Sequence, residues 1–440
     1  MNSKWSNKEH RQLHFLLLTA FLTRLVYSLY NFPHNSFSRG GDSLGYVQTG
    51  WLMFHHSLPL TLSKFGPLYP LLLAGTWMIF PNTPFPTTVE MVPAAYVFSL
   101  CLAQIMLSIL MIRWTYQIAQ SLKLSHGSSM IAAIGIGLGP AFVMESPLIL
   151  TETVFMAFLI FAIWLYQRSL ENTSKTGFAL AGIAFGLAAL TRPILLLFPL
   201  LLIPHLSFYF KSSIRYVYSI VLLGGSLLIL VPWGIYLYQG TGAWLPEGFS
   251  SNLWIGTVAN GRFQGPQVTD QLRRGIPDSN IRYIQEALKN IAANPVHWLS
   301  LRGSNIGLSL LQPHATDNFP NLHFKQALWS WFNNERSFSA FIQIVQLPGF
   351  WMRVLIYCFH YAALMFGFAG AWFSRHDWRR FYVPFAVILY FFLSYGVLTI
   401  LPRYVFPAQI FFWLFAGVGI MAAWQRLRPN SLVRAGVVSV

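Results

Sequence analysis

Thirteen acidic residues stand against 29 Lys and Arg in 440 positions, so the few carboxylates are where chemistry should be sought first. Asp42, Glu145 and Glu152 sit close to the ends of long apolar runs, where a carboxylate is costly unless it is paired or useful. Asp42 lies in SRGGDSLGY, just after two glycines that permit a tight turn. It reads as a cap on the helix that follows from Ser43 or as a general base, and the two roles are compatible. Arg39 and Arg24 are its nearest cations in sequence. Glu152 opens an apolar run in SPLILTETVFMAF, where the helix dipole favours an acid by about 0.3–1 kcal/mol. Glu145 fits that role less well. Four cations, Arg39, Lys64, Arg192 in ALTRPILLL and Arg403 in ILPRYVFP, each stand in a connection beside an apolar run. A membrane-anchored phosphate requires such a set, Arg offering a planar fork and Lys a point charge. Snorkelling to lipid headgroups accounts for any one of them, but less well for all four.

The elements that must position these residues are membrane helices. The chain is 55% hydrophobic and 10% charged, against about 25% charged in an average soluble domain. Apolar stretches of the length needed to cross a bilayer, roughly 17–25 residues, recur along it. Ten spans are expected, at 13–31, 93–112, 127–144, 149–167, 177–191, 193–210, 217–238, 350–373, 381–401 and 404–424. The net charge of +16 does not call for nucleic acid. Lys4, Lys8, Arg11, Arg113, Lys123, Arg168, Lys175, Lys211, Arg215, Arg375, Arg379, Arg380, Arg426, Arg428 and Arg434 all fall on one face of these spans, the pattern of positive-inside topology. That face is the cytoplasm, and both termini lie on it. Arg39, Lys64, Arg192 and Arg403 break the pattern on the other face. Arg24 and Arg353 lie well within spans, each within reach of an interface. The segment 67–81 is apolar but short, and is expected to be a re-entrant or interfacial helix on the outer face. Cys101 and Cys358 fall inside apolar runs and are expected to be small buried hydrophobes without a disulfide.

Two pieces remain outside the membrane: the connection 32–92 and the large loop from Gln239 to Pro348. In the loop, PDSNIRYIQEALKNIAANP predicts a helix capped by Asp278 or Ser279 and ended by Asn294-Pro295. Ile281, Ile284, Ala287, Leu288 and Ile291 are predicted to share its apolar face. A second helix follows from Val296 to Leu311, ended by Gln312-Pro313. The chain therefore divides into 1–238, a loop domain 239–348, and the last helices 349–440. His55-His56 has no spaced partner for a metal site, and there is no GxxxxGK[ST] loop.

These landmarks, in order, resemble the GT-C glycosyltransferases, in particular the dolichyl-phosphate-mannose protein mannosyltransferase and aminoarabinose transferase-like group. GDSLGY resembles the acidic motif of the first outer loop, GPLYPLLLAG the PPLYPLLLA segment, and LTETVFMAFLIF the TE-containing helix start. LAGIAFGLAALTRPILLLFPLLL is similar to the Gly-rich helix ending in TRP, SNLWIGT to the element opening the large loop, and ALKNIAANPVHWLSL to the loop helix before an NP turn. PRYVFPAQIFF is similar to the RY-x-x-P motif of the last span. The resemblance implies an all-α polytopic GT-C bundle with one large, mostly helical extracytoplasmic loop. It implies Asp42 as catalytic base and Glu152 as a supporting acceptor-site or structural residue. Lys64 becomes a phosphate ligand, although Phe65 and Gly66 intervene before the proline that the family's Lys directly precedes. Asp42-Ser43 stands where the mannosyltransferase branch has Asp-Glu, which argues against a strict protein O-mannosyltransferase. Asn252 and Gly256 are implied to face the pocket, with Tyr46 and Tyr404 from their motifs.

The reaction so implied moves a sugar from a polyprenyl-phosphate carrier to an acceptor hydroxyl on a glycan, lipid or protein, at the outer face of a bacterial inner (plasma) membrane. Lys64, Arg192 and Arg403, with Arg39 in reserve, would hold the donor phosphate. No cofactor is needed, because arginines can stabilise a leaving phosphate. The rivals are a transporter or lipid flippase, which should carry ionisable groups at the bilayer midplane, and a polysaccharide polymerase or ligase using a diphosphate-linked glycan. A membrane acyltransferase would want a catalytic histidine, for which His360 is the candidate.

Overall fold

The computed structural model describes residues 7–427 apart from 33, 38–40, 57–65, 211–212, 243, 245, 259, 262–270, 273–278 and 317–323. Arg39, Lys64 and Asp278 fall outside the described residues.

Among the described residues there is no strand. Six helices are long and apolar enough to cross a membrane: Asn7–Asn31, Ala94–Ser121, Thr151–Asn172, Ile214–Thr241, Phe350–Asp377 and Pro402–Leu427. The other four expected spans fall on the shorter apolar helices His126–Leu138, Lys175–Thr191, Pro193–Tyr209 and Tyr382–Val397. The chain is thus a multi-pass membrane protein. Its elements are named as follows. The first connection holds α2 (Gly41–Phe54) and α3 (Leu68–Trp77), between α1 (Asn7–Asn31) and α4 (Ala94–Ser121). Next come α5 (His126–Leu138), α6 (Pro140–Glu145), α7 (Thr151–Asn172), α8 (Lys175–Thr191), α9 (Leu202–Tyr209) and α10 (Ile214–Thr241). The large loop carries α11 (Glu247–Ile255), α12 (Asn280–Ala293), α13 (Pro295–Leu311), α14 (Phe324–Ser330) and α15 (Phe338–Val345). The chain then returns through α16 (Phe350–Ser374), α17 (Tyr382–Val397), the short α18 (Pro402–Val405) and α19 (Gln409–Leu427).

Lipid-facing and core-facing rows separate cleanly along α1. Phe15, Leu18, Leu22, Val26 and Leu29 are exposed at helical spacing, while Leu13, Leu16, Ala20, Arg24 and Ser28 are buried. Small residues let helices close up where lipid supplies no hydrophobic drive. On α8, a Cβ at Gly182 would sit 2.0 Å from the Leu222 carbonyl oxygen of α10.

Arg24 departs from the expectation that it reaches an interface. It is fully buried and donates to the carbonyls of Gly137, Ile136 and Ala20. For Ile136 the cause is the break at Gly139-Pro140, since proline has no N–H for the carbonyl a turn earlier. In lipid those carbonyls need an internal donor. Arg24→Met should lower the unfolding midpoint in detergent, with a cost of about 1–3 kcal/mol for each acceptor left unsatisfied. Arg353, in the first turn of α16, is buried as well. Of the two free cysteines, Cys101 is buried as expected, but Cys358 lies on an exposed face of α16.

The loop helices sit where the breakers put them. Asn294 caps α13 by accepting from the His297 N–H at 3.2 Å, with Pro295 at its first position. On α12 the buried face is Tyr283 and Ala287, and Ile281 and Leu288 point outward. The expected face is rotated because α12 packs on α11 through Tyr283 against Trp254, 5.6 Å between rings. Ser279 precedes α12 but makes no side-chain cap bond.

Candidate active site

Four elements distant in sequence converge on one point. α2 begins at Gly41, two residues earlier than expected, which places Asp42 in its first turn rather than at the cap. α7 begins at Thr151 and carries Glu152 in its first turn. Arg192 ends α8, and Arg403 lies in α18.

The turn before α7 is held from several sides. Gln104 of α4 donates to the Leu148 carbonyl at 2.7 Å and accepts from the Tyr69 hydroxyl of α3 at 3.2 Å. Cys101 donates to the Pro147 carbonyl, and the Ile149 N–H reaches the Ser36 carbonyl at 3.1 Å. Tyr69 meets the buried Tyr46 ring edge-on at 5.2 Å, linking this frame to the helix of Asp42.

Charge then runs in a chain across the site. Asp42 Oδ2 accepts from Arg403 Nη2 at 3.1 Å. Arg403 Nε lies 3.9 Å from Glu152 Oε1, and Arg192 Nη1 lies 3.1 Å from the same oxygen. The partner of Asp42 is thus Arg403, 361 positions away. The Tyr404 ring lies beside both guanidiniums, 5.4 Å from Arg192 and 5.3 Å from Arg403, and stacks on Tyr395 at 4.9 Å. Tyr395, near the C-terminal end of α17, is not among the sequence candidates; a tyrosine closing an apolar run just before the RY motif is the available signal.

Burial separates the two carboxylates. The Glu152 side chain is 3% exposed and the Asp42 side chain 41%. Asp42 can be reached by a substrate, whereas Glu152 is enclosed beside two arginines and accepts from the Thr151 hydroxyl at 3.3 Å. Glu152 therefore suits the task of holding like charges together. Although Arg192 Nη1 and Arg403 Nε are close to Glu152, neither is aligned to donate a hydrogen bond to it, and both are buried. Both nitrogens thus lie close to the Glu152 carboxylate with no hydrogen-bond acceptor among the described residues. Burial alone would lower the Arg192 guanidinium, but Tyr395 and Glu152 more than offset it and hold it above its ordinary value. Burial, then the charges of Glu152 and Asp42, push the Tyr46 phenol up, so it stays a neutral donor.

The large loop meets the site through its backbone. Gly256 follows α11, and a Cβ there would sit 1.9 Å from the Leu398 carbonyl oxygen. Arg302 of α13 is buried and donates to the carbonyls of Leu398 at 2.9 Å and Gly261 at 2.8 Å. This clip anchors the segment that leads into Arg403. Asn252 is half-buried on α11, four positions before Gly256. Gly66 makes a similar approach on the other side, where a Cβ would sit 2.1 Å from the Leu190 carbonyl oxygen beside the Arg192 turn. His360 uses both ring nitrogens for packing, on the Leu310 carbonyl at 2.8 Å and the Gln409 amide at 3.3 Å. Among the described residues no group of three or more His, Cys, Asp and Glu is arranged to hold a metal ion.

The fold is shared with solved structures of an archaeal oligosaccharyltransferase. The apo enzyme of Archaeoglobus fulgidus is similar with a TM-score of 0.56 at 11% identity, covering 97% of this chain and 52% of that one. The same organism's AglB, in complex with an inhibitory peptide and a dolichol-phosphate, is similar with a TM-score of 0.55 at 14% identity, covering 99% and 53%. The chain spans about half the length of these proteins. No curated protein matches it in sequence. Residues 14–243, just over half of the chain, match the family of dolichyl-phosphate-mannose-protein mannosyltransferases. The matched segment takes in Asp42, Glu152 and Arg192, three of the four charged groups brought together in the fold, and the chain belongs to that family of GT-C glycosyltransferases.

Proposed function

We propose that this protein transfers a sugar from a polyprenyl monophosphate to an acceptor hydroxyl at the extracytoplasmic face of a plasma membrane, both of its termini being cytoplasmic. The observation that carries the reading is the pairing of a reachable carboxylate, Asp42, with Arg403, beside a second arginine, Arg192, and the buried Glu152. The acceptor oxygen attacks the anomeric carbon and its proton passes to Asp42. The bond from that carbon to the phosphate oxygen breaks, and the electron pair leaves with the polyprenyl phosphate. One displacement inverts the anomeric centre. The leaving phosphate needs preorganised cations, supplied by Arg192 and Arg403. Lys64 and Arg39 complete the set in this proposal; Gly66, two positions after Lys64, packs beside the Arg192 turn.

Tyr46 donates to the substrate, Tyr404 braces the arginines, and Asn252 and Gly256 border the acceptor side. Three parts divide the work: 1–238 with the first outer loop 32–92, the loop 239–348, and the helices 349–440. The similar AglB structure holds a dolichol-phosphate, which supports a lipid phosphate as the donor anchor. The acceptor is a glycan, lipid or protein.

The test is transfer by membranes containing the protein, from a panel of labelled polyprenyl-phosphate sugars, with label followed into lipid, protein and polysaccharide. Transfer from a monophosphate donor supports the reading, and the labelled fraction names the acceptor class. Transfer solely from diphosphate-linked glycans would move the protein to the polymerase class. Because arginines carry the leaving charge, transfer should persist in EDTA; loss on chelation, restored by a divalent cation, would refute that part.

A further inference from the structure

A buried hydrogen-bonded pair lies apart from the charge chain. Glu145 ends α6, and its Oε2 is 2.7 Å from His314 Nε2, with side chains 1% and 3% exposed. His314 comes from the far end of the large loop, just after α13, 169 positions from its partner. Two of its neighbours hold it there. The Thr316 hydroxyl closes a turn onto the Pro313 carbonyl at 2.9 Å, and Ala315 is buried with a left-handed φ of 71°. A non-glycine residue rarely adopts that conformation unless its surroundings impose it.

Both ends of the pair touch an element that carries a charged group of the site. The Glu145 carbonyl accepts from Leu148 N–H at 3.1 Å and from the Thr153 hydroxyl at 3.3 Å, so it braces the turn and the first residues of the helix bearing Glu152. The His314 ring lies on Phe406, 4.2 Å between centroids, and Phe406 packs on Phe142 of α6 at 4.5 Å. Phe406 follows Arg403 by three residues. The pair thus joins three segments distant in sequence: the loop, the α6–α7 turn, and the α18 turn. We propose that His314 and Glu145 are positioning residues that hold Glu152 and Arg403 at the spacing the donor phosphate requires, and so couple docking of the large loop to lipid-phosphate binding. This rests on the reading of the site as a polyprenyl-phosphate site.

The experiment titrates the purified full-length protein with undecaprenyl monophosphate and dolichyl monophosphate, and measures acceptor KM and kcat in parallel. If wild type binds neither lipid, the reading of the site fails, and this inference with it. If wild type binds, His314→Phe should raise the lipid-phosphate Kd about tenfold and leave the acceptor KM unchanged. His314→Gln, which keeps an N–H for Glu145 but loses the ring on Phe406, should raise it about threefold. Tyr361→Phe breaks a neighbouring loop-to-span bond, from the Tyr361 hydroxyl to the Leu311 carbonyl at 2.9 Å; it should leave the Kd unchanged. A folded His314→Phe protein with wild-type Kd overturns the inference, as does an equal rise in Tyr361→Phe. Should His314→Phe not fold, His314→Gln decides: a raised Kd with unchanged acceptor KM supports the inference, and a wild-type Kd overturns it.

Discussion

Asp42→Asn should lower sugar transfer about 10²–10⁴-fold, the usual worth of a positioned general base, while donor lipid binds with near wild-type affinity. The substitution is chosen for what it preserves. The Asn side chain has the same shape, and its carbonyl oxygen can still accept from Arg403 Nη2, which stands 3.1 Å from Asp42 Oδ2. The arginine therefore keeps its place, and the proton acceptor alone is lost. The measurement is kcat beside the dissociation constant of a polyprenyl monophosphate, at matched expression. Equal transfer by both proteins would reduce Asp42 to a helix-start residue favoured by the dipole. Glu152 would then be the remaining candidate for the base.

Arg403 should behave differently, because it touches both carboxylates. Arg403→Ala removes the partner of Asp42 and one of the two partly buried guanidiniums near Glu152. By analogy with the loss of one preorganised donor, kcat should fall about 10²–10³-fold, and the donor Kd should rise with it. Arg403→Lys should restore little. A guanidinium presents several donors in a planar fork, whereas an ammonium is a point charge on a flexible stem that cannot hold Asp42 and face Glu152 at once. Full recovery in Arg403→Lys would mean that the site needs net charge alone. The contrast between the variants is diagnostic: Asp42→Asn moves kcat, Arg403→Ala moves kcat and Kd together.

Much of this was legible in the sequence, and what escaped shares one cause. The helices could be read because each is announced locally, by apolar length, by breakers such as Asn294-Pro295, and by charge at the ends of spans. Asp42, Glu152, Arg192 and Arg403 could each be singled out because a charged group at a membrane boundary needs a reason. Their pairing could not, since Asp42 and Arg403 are 361 positions apart and the nearer Arg24 proved to serve broken-helix carbonyls instead. His314 and Glu145 were invisible as a pair for the same reason. The face of α12 was misassigned because periodicity defines an apolar stripe, while the neighbour, here Trp254, decides which part of it is covered. Gly66 and Gly256 are close-approach sites, and nothing local separates such glycines from any other.

The central claim is that sugar leaves a polyprenyl monophosphate by one displacement at Asp42, and product analysis of a single turnover tests it most directly. Purified protein would be given a labelled polyprenyl-phosphate sugar of known anomeric configuration with the acceptor found in the transfer assay. The account predicts one free polyprenyl monophosphate per sugar transferred, and a product of opposite anomeric configuration. Retention of configuration, or release of a diphosphate lipid, would contradict it.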